Sequence, residues 1–482
     1  MPASEFSAKI PIRLALFASA AGAIACLWAA WCLFPCLAWN EVRLAPAFAL
    51  RHGINPYPPL DGGPLSTWIY GPVGMVVNLP ATFATSPTGA LHLASMITAL
   101  TILVPVAVIF FGSTELRARS ACAPWLALAL SVLLVPTATL LFQVPDQSAI
   151  ALGLLSGWCL ARQSRPTPLL VAAAAALSVL AILAKQLEVV LLPVNLAFLL
   201  ISGQRAAALR YLGWATVFGV IAAAICLPFF GFANLWLNLV VVPGQRPWGD
   251  LASKIAARPW PLIDQVVLPS AGLVALWRTG RWPDRARESG RFFLFATLAY
   301  GAMLPLGLAA FFKFGGDTNT IHSWNYLLPG ALLAYLATDR ATTAAAPLRL
   351  LALPALALTL HAKDFAVLPA RPITRHFEIA AQLTDAFPHA IWFPQNPLIT
   401  FYADGRLWHS EDGIRTRNHA GFAPRQVDFR RDLPPALRAV AYPESENLSF
   451  ATAPALLPEF SQRIHLPYWT LLTRPPVPPT SK

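Results

Sequence analysis

Apolar stretches near 20 residues recur along the first 360 positions, separated by short polar or proline-bearing breaks. As a helix, each can cross a hydrocarbon core about 30 Å thick. Backbone polar groups inside lipid must be satisfied within the segment, so the runs are helices. The pattern predicts an α-helical polytopic membrane protein with about eleven transmembrane helices. Their approximate bounds are 14–34, 88–112, 124–142, 148–161, 168–184, 187–202, 211–231, 263–277, 292–312, 323–338 and 346–360. The first run follows Lys9 and Arg13. It is longer than the roughly 7–15 residue core of a signal peptide and lacks a small-x-small cleavage site, so it reads as a retained span.

Two apolar stretches suit spanning poorly. Residues 68–86 contain Pro72, Asn78 and Pro80 and read as a juxtamembrane or re-entrant helix. Residues 232–245 read as an interfacial helix with Trp236 at the headgroup level.

Charge in the loops orients the chain. With the N-terminus cytoplasmic, fifteen Lys and Arg before residue 361 fall on the inside and seven outside, as the positive-inside rule requires. Eleven spans then place the C-terminus outside, in the periplasm or extracellular space of what reads as a bacterial inner (plasma) membrane protein. After residue 360 the composition changes, and 24 of the 58 charged residues lie in this last quarter. Alternating runs such as AIWFP, LITFYADGRLWH and RAVAYP suggest a small α/β extracytoplasmic domain over 361–470. It follows a transmembrane domain, 1–360, with an outer loop at 35–87. A proline-rich tail, 471–482, reads as disordered.

Overall 56% of residues are hydrophobic and 12% charged. The net charge of +12 comes from basic residues strung along short loops, a topology signal and not a nucleic-acid surface. Six cysteines, Cys26, Cys32, Cys36, Cys122, Cys159 and Cys226, lie in or beside apolar segments without metal-ligand spacing and read as packing residues.

Against this background Trp39–Pro72 is an unusually long polar loop, carrying Glu41, Arg43, Arg51, His52 and Asp61. The predicted topology puts nearly every other unusual polar residue on the same outer side: Asp146, Lys185, Gln186, Glu188, Lys313, Asp317, His322 and Asn325. Such one-sided clustering fits a reaction between a lipid-borne phosphate and an acceptor at the membrane–water boundary. A phosphate leaving group needs fixed cations, for which Lys185, Lys313, Arg258 and Arg51 are candidates. An acceptor hydroxyl needs a carboxylate base, and Glu41, just beyond the first span, is foremost. The acids and arginines of 361–482 read as solvated surface, with Glu411-Asp412 a surface turn.

These motifs in order resemble the GT-C superfamily of integral-membrane glycosyltransferases, protein mannosyltransferases and aminoarabinose transferases among them, which use a polyprenyl-phosphate sugar donor. The matching segments are Asn40-Glu41, Gly53-Ile54-Asn55-Pro56-Tyr57, Tyr70-Gly71-Pro72, Asp146 in FQVPDQSAIAL, Lys185-Gln186 in AILAKQLEVVLLP, and His322, Asn325, Tyr326 and Pro329 in HSWNYLLPG. They cover residues 14–340. Where the family often has an Asp-Glu pair, this chain has Asn40-Glu41.

The resemblance implies inverting transfer from a donor such as an undecaprenyl-phosphate sugar to a lipid or glycan acceptor. Glu41 and Asp146 would be the catalytic acids. Tyr57, Trp68, Tyr70, Gln186, His322, Asn325 and Tyr326 would contact substrate, and a divalent cation (Mg or Mn) is possible. The rival is a transporter or flippase of a lipid-linked or anionic solute, which calls for broken helices and polar residues near the bilayer midplane. A ligase or polymerase using a diphosphate-linked donor stays within transferase chemistry.

Overall fold

The computed structural model describes residues 3–65, 68–135, 141–142, 145–337, 374–423, 425–444, 448 and 451–475. Among the described residues, five helices are long and apolar enough to cross a membrane: Arg13–Leu33, Pro87–Gly112, Arg205–Phe230, Pro259–Arg278 and Glu288–Phe312. The chain is an integral membrane protein. Five further runs expected to span are shorter helices: Ala123–Leu134, Asp146–Ala161, Pro168–Ala184, Leu191–Ile201 and Trp324–Ala337. At 1.5 Å per residue, these reach only about 17–26 Å. The eleventh expected span, 346–360, lies outside the described residues, as do 361–373 and most of the tail.

Sequence explains where the helices start and bend. Ser86 and Thr167 accept the amides of Gly89 and Leu170, with proline at the first helical position in both cases. Bundle helices approach closely at glycine: a Cβ on Gly157 would sit 2.0 Å from the Phe295 ring. Inside the bundle, Asn195 Nδ2 lies 2.9–3.0 Å from the hydroxyls of Ser156, Ser178 and Tyr211, tying three neighbouring helices to its own through a polar network. The Arg205–Phe230 helix leaves Val217, Val220, Ile221, Ile225 and Phe229 exposed, an apolar face suited to lipid.

Helix ends sort into two groups. At one end Arg291 donates to the carbonyls of Ala161 and Arg162, Arg119 to Ala337, and Glu115 accepts the amides of Glu288 and Ser289. At the other end lie Glu41, Asp146, Lys185, Lys313 and His322, together with the C-terminal residues. The segment 68–86 forms only two short pieces there, a helix at Pro72–Val77 and a 3₁₀ turn at Leu79–Phe83. Residues Phe232–Gln245 are helical, and Trp236 is half exposed.

Residues 374–475 build a four-stranded sheet of order β1-β2-β4-β3, comprising β1 Ile391–Trp392, β2 Ala439–Pro443, β3 Gln462–Leu466 and β4 Trp469–Thr473. The β1–β2 pair is parallel and the others antiparallel. This unit does not bury its apolar residues alone. Phe377, Ile391, Leu398, Phe401 and Trp469 share one core with Leu44, Ala45 and Phe48 of the juxtamembrane helix Ala38–Arg51. The sheet is therefore built onto the polar loop instead of standing apart from it.

Candidate active site

Two helix ends of opposite polarity meet at the site. Asp146 opens the Asp146–Ala161 helix, where the dipole favours an anion, and Lys185 caps the C-terminus of Pro168–Ala184, where it favours a cation. Lys185 Nζ donates to Asp146 Oδ1. The same carboxylate lies 3.4 Å from His322 Nδ1, and the Asn319 amide reaches its other oxygen at 3.5 Å. His322 Nε2 stands 3.0 Å from Glu188 Oε1, and Tyr326 Oη donates to Glu188 Oε2 at 2.7 Å. Asp146, Lys185, Glu188, His322 and Tyr326 are at least 95% buried. Four expected site residues, Asp146, Lys185, His322 and Tyr326, are thus brought together from helices far apart in sequence.

The aromatic residues of the polar loop lie beside this cluster and shape the backbone. Tyr57 Oη donates to the Tyr70 carbonyl at 2.7 Å, and Trp68 Nε1 to the Gly71 carbonyl at 3.1 Å. A Cβ on Gly71 would meet the Leu183 carbonyl at 2.0 Å, so glycine lets the loop press against the end of Pro168–Ala184. Gln186 Nε2 bridges the carbonyls of Ile69 and Leu239. Asn325 stands elsewhere, in a small cavity with Gln147, Leu328 and Pro329.

Three arginines that sequence reasoning passed over gather at the seam with the C-terminal unit. Arg43 lies 3.7 Å from Asp412 and over the rings of Tyr70 and Trp39, at 5.2 and 5.8 Å. Arg415 covers Trp39 from the C-terminal unit at 5.5 Å. Arg246 feels the charges of Asp412, Arg43 and Arg415. Burial works against the charge on Arg43, but Tyr70, Asp412 and Asp146 hold its guanidinium above the usual value. For Arg246 burial prevails and pulls the value down. The one early hint was Arg43, two positions after Glu41.

Glu41 is fully buried at the same seam. One oxygen accepts from the Asn396 side-chain amide and the other from the Leu398 amide at 3.2 Å, so the carboxylate caps the N-terminus of helix Pro397–Asp404. Burial raises its pKa to about 8 against the pull of these hydrogen bonds. Asn40 donates to the carbonyls of Phe34 and Pro35, closing the end of the first helix.

The remaining expected phosphate ligands do not join the cluster. Lys313 Nζ donates to the carbonyls of Pro243 and Gly244 at 3.0 Å. Arg258 pairs with Asp317 at 3.5 Å on an exposed surface, and Arg51 donates to the Thr82 carbonyl. The surface-turn reading of Glu411-Asp412 is overturned. Both are buried, and Glu411 accepts from Tyr442 Oη at 2.9 Å and from the amides of Thr452 and Ala453. The residues do not fit a divalent cation either: Glu41 caps a helix and Asp146 is shared between Lys185 and His322. No group of three or more His, Cys, Asp or Glu is arranged as ligands among the described residues.

An apolar cavity of about 460 Å³ completes the picture. Its walls include Pro72 and Val76 of the loop, Ala176, Leu180 and Leu183 of Pro168–Ala184, and Ile221, Ile225 and Phe230 of Arg205–Phe230. Leu183 lies two residues from Lys185, and Pro72 two from Tyr70. The groove runs along two bundle helices, and two of its wall residues are close in sequence to Lys185 and Tyr70.

No family model and no curated protein matches the sequence. Among solved structures, the chain is similar to ArnT from Cupriavidus metallidurans bound to undecaprenyl phosphate, with a TM-score of 0.59 and 14% identity. The match covers 94% of this chain and 97% of that one. Over nearly its whole length the chain carries the fold of that structure.

Proposed function

We propose that this chain is a membrane glycosyltransferase that moves a sugar from a polyprenyl-phosphate donor to a hydroxyl acceptor. The observation that carries the reading is an apolar groove whose wall includes Leu183, two residues before Lys185 of the buried charged cluster, a pairing suited to a lipid with an anionic head. That the similar ArnT structure holds undecaprenyl phosphate supports the same lipid class here. The polyprenyl tail lies in the groove, and the phosphate stands at its end near Lys185, Tyr70 and Arg43.

Transfer proceeds with inversion. The acceptor oxygen attacks the anomeric carbon on the face opposite the phosphate, and the sugar–phosphate C–O bond breaks. The phosphate keeps the electron pair, stabilised by Lys185 and Arg43. The acceptor proton goes to Glu41, the carboxylate base of the step. Glu41 meets an acceptor only when the N-terminus of Pro397–Asp404 withdraws, so the arrangement described is a closed one. The acceptor is a lipid or glycan at the outer face of a bacterial inner membrane, with the N-terminus cytoplasmic. Transport is less favoured because the ionisable residues lie at the two ends of the bundle, while the Ser156–Ser178–Asn195–Tyr211 network inside it is uncharged.

Glu41→Gln tests the base. Transfer of radiolabelled sugar from an undecaprenyl-phosphate donor is expected to fall at least about 100-fold, with the variant still folded and inserted. Full activity would leave Glu41 with its capping role alone.

A further inference from the structure

We propose that Glu188 is a positioning residue of the transfer site: it holds one ring nitrogen of His322, so that the other can take Asp146 from Lys185 when a lipid phosphate binds. The inference rests on the reading that such a phosphate is received at Lys185.

In the closed cluster, Lys185 is held by Asp146. A phosphate can claim that ammonium only if the buried carboxylate it leaves finds another donor, because an unpaired charge at 2% exposure is heavily penalised. His322 is poised to supply it. Its Nδ1 is buried, makes no hydrogen bond, and lies 3.4 Å from Asp146 Oδ1. The approach ends in a hydrogen bond only if Nδ1 carries a proton.

Glu188 meets that condition. It faces the other ring nitrogen, Nε2, at 3.0 Å, and its second oxygen is fixed by Tyr326 Oη at 2.7 Å. With Nε2–H donating to Glu188, a proton on Nδ1 makes the ring an imidazolium. The chain Lys185–Asp146–His322–Glu188 then carries two positive and two negative charges. Without the Glu188 charge, the imidazolium has one carboxylate to share with Lys185. A neutral ring donating from Nε2 would turn a lone pair toward Asp146. The exchange is then blocked and Lys185 stays paired. Asn319, at 3.5 Å from Asp146 Oδ2, and Arg43, which senses Asp146, are the other polar groups that face the pair.

The test is binding of undecaprenyl phosphate to the full-length protein in detergent. Glu188→Gln is expected to weaken binding at least tenfold while the ligand-free protein melts as wild type does, and Glu188→Asp to recover most of the affinity. His322→Asn should lose as much, and the Glu188→Gln/His322→Asn pair no more than either alone. Wild-type affinity in Glu188→Gln, or losses that multiply in the pair, would overturn the proposal. Should Glu188→Gln fail to fold, His322→Asn carries the test, and wild-type affinity there is equally fatal. If the wild-type protein itself does not bind the lipid, the donor reading fails first and this inference falls with it.

Discussion

A single carboxylate, Glu41, joins the juxtamembrane helix to the C-terminal unit. Removing it in Glu41→Ala leaves the Asn396 amide and the Leu398 N–H without their acceptor, and buried donors so stranded cost about 1–3 kcal/mol. A lower melting temperature of the detergent-solubilised variant would register this loss. The sign of its pH dependence follows from the raised pKa. Between the unfolded value and about 8, the folded state binds more protons than the unfolded one, so stability falls as pH rises through that window. Melting curves at pH 5.5 and 8.5 should show wild type losing stability at the higher pH and Glu41→Gln losing less. Arg43 answers to activity: Arg43→Ala is expected to reduce kcat by about 10²–10³, the scale for a lost stabiliser of developing negative charge. Asp146, Lys185 and His322 were legible because an ionisable residue in or beside an apolar run stands out. Asp412 and Arg415 were not, because the Glu411–His419 helix is polar along its length and only docking against Trp39 and Arg43 buries part of it.

At the level of elements, the apolar pattern located the helices well and their lengths less well. Residues 168–184 and 187–202 read as two spans parted at Lys185-Gln186, and the structure puts a 3₁₀ turn, Gln186–Val190, at that break before Leu191–Ile201 resumes. The polar residues of that break belong to the charged cluster, so the interruption and the site are one feature. The apolar groove offers a separate test. Ala176→Trp or Ala222→Trp should fill it and weaken binding of undecaprenyl phosphate at least tenfold, while a water-soluble short-chain analogue binds as before. Equal loss for both lipids would move the tail elsewhere. The groove itself could not be read from sequence, since its walls come from Leu50 and from residues 72–76, 176–183 and 218–230, each apolar in an unremarkable way.

Across the whole molecule, loop charge and helix order agree on two ends of different character. The orientation can be checked with a membrane-impermeant thiol reagent on intact cells, in a cysteine-free background. A cysteine at exposed Arg430 should label and one at exposed Arg281 should not; the reverse pattern would invert the topology. The division into a membrane part and a water-exposed part was visible as a change in composition. That the two share a core was hidden, because Leu44 and Phe48 read as ordinary loop residues until Leu398 and Trp469 are placed against them. The shared core also sets an order in time. Glu41 and its capping partner Asn396 are 355 residues apart. At translation rates of about 5–20 residues per second, the juxtamembrane helix waits roughly 20–70 s for the strand-forming segment that covers it. During synthesis its apolar face must rest on lipid or a chaperone until the C-terminal unit reaches it.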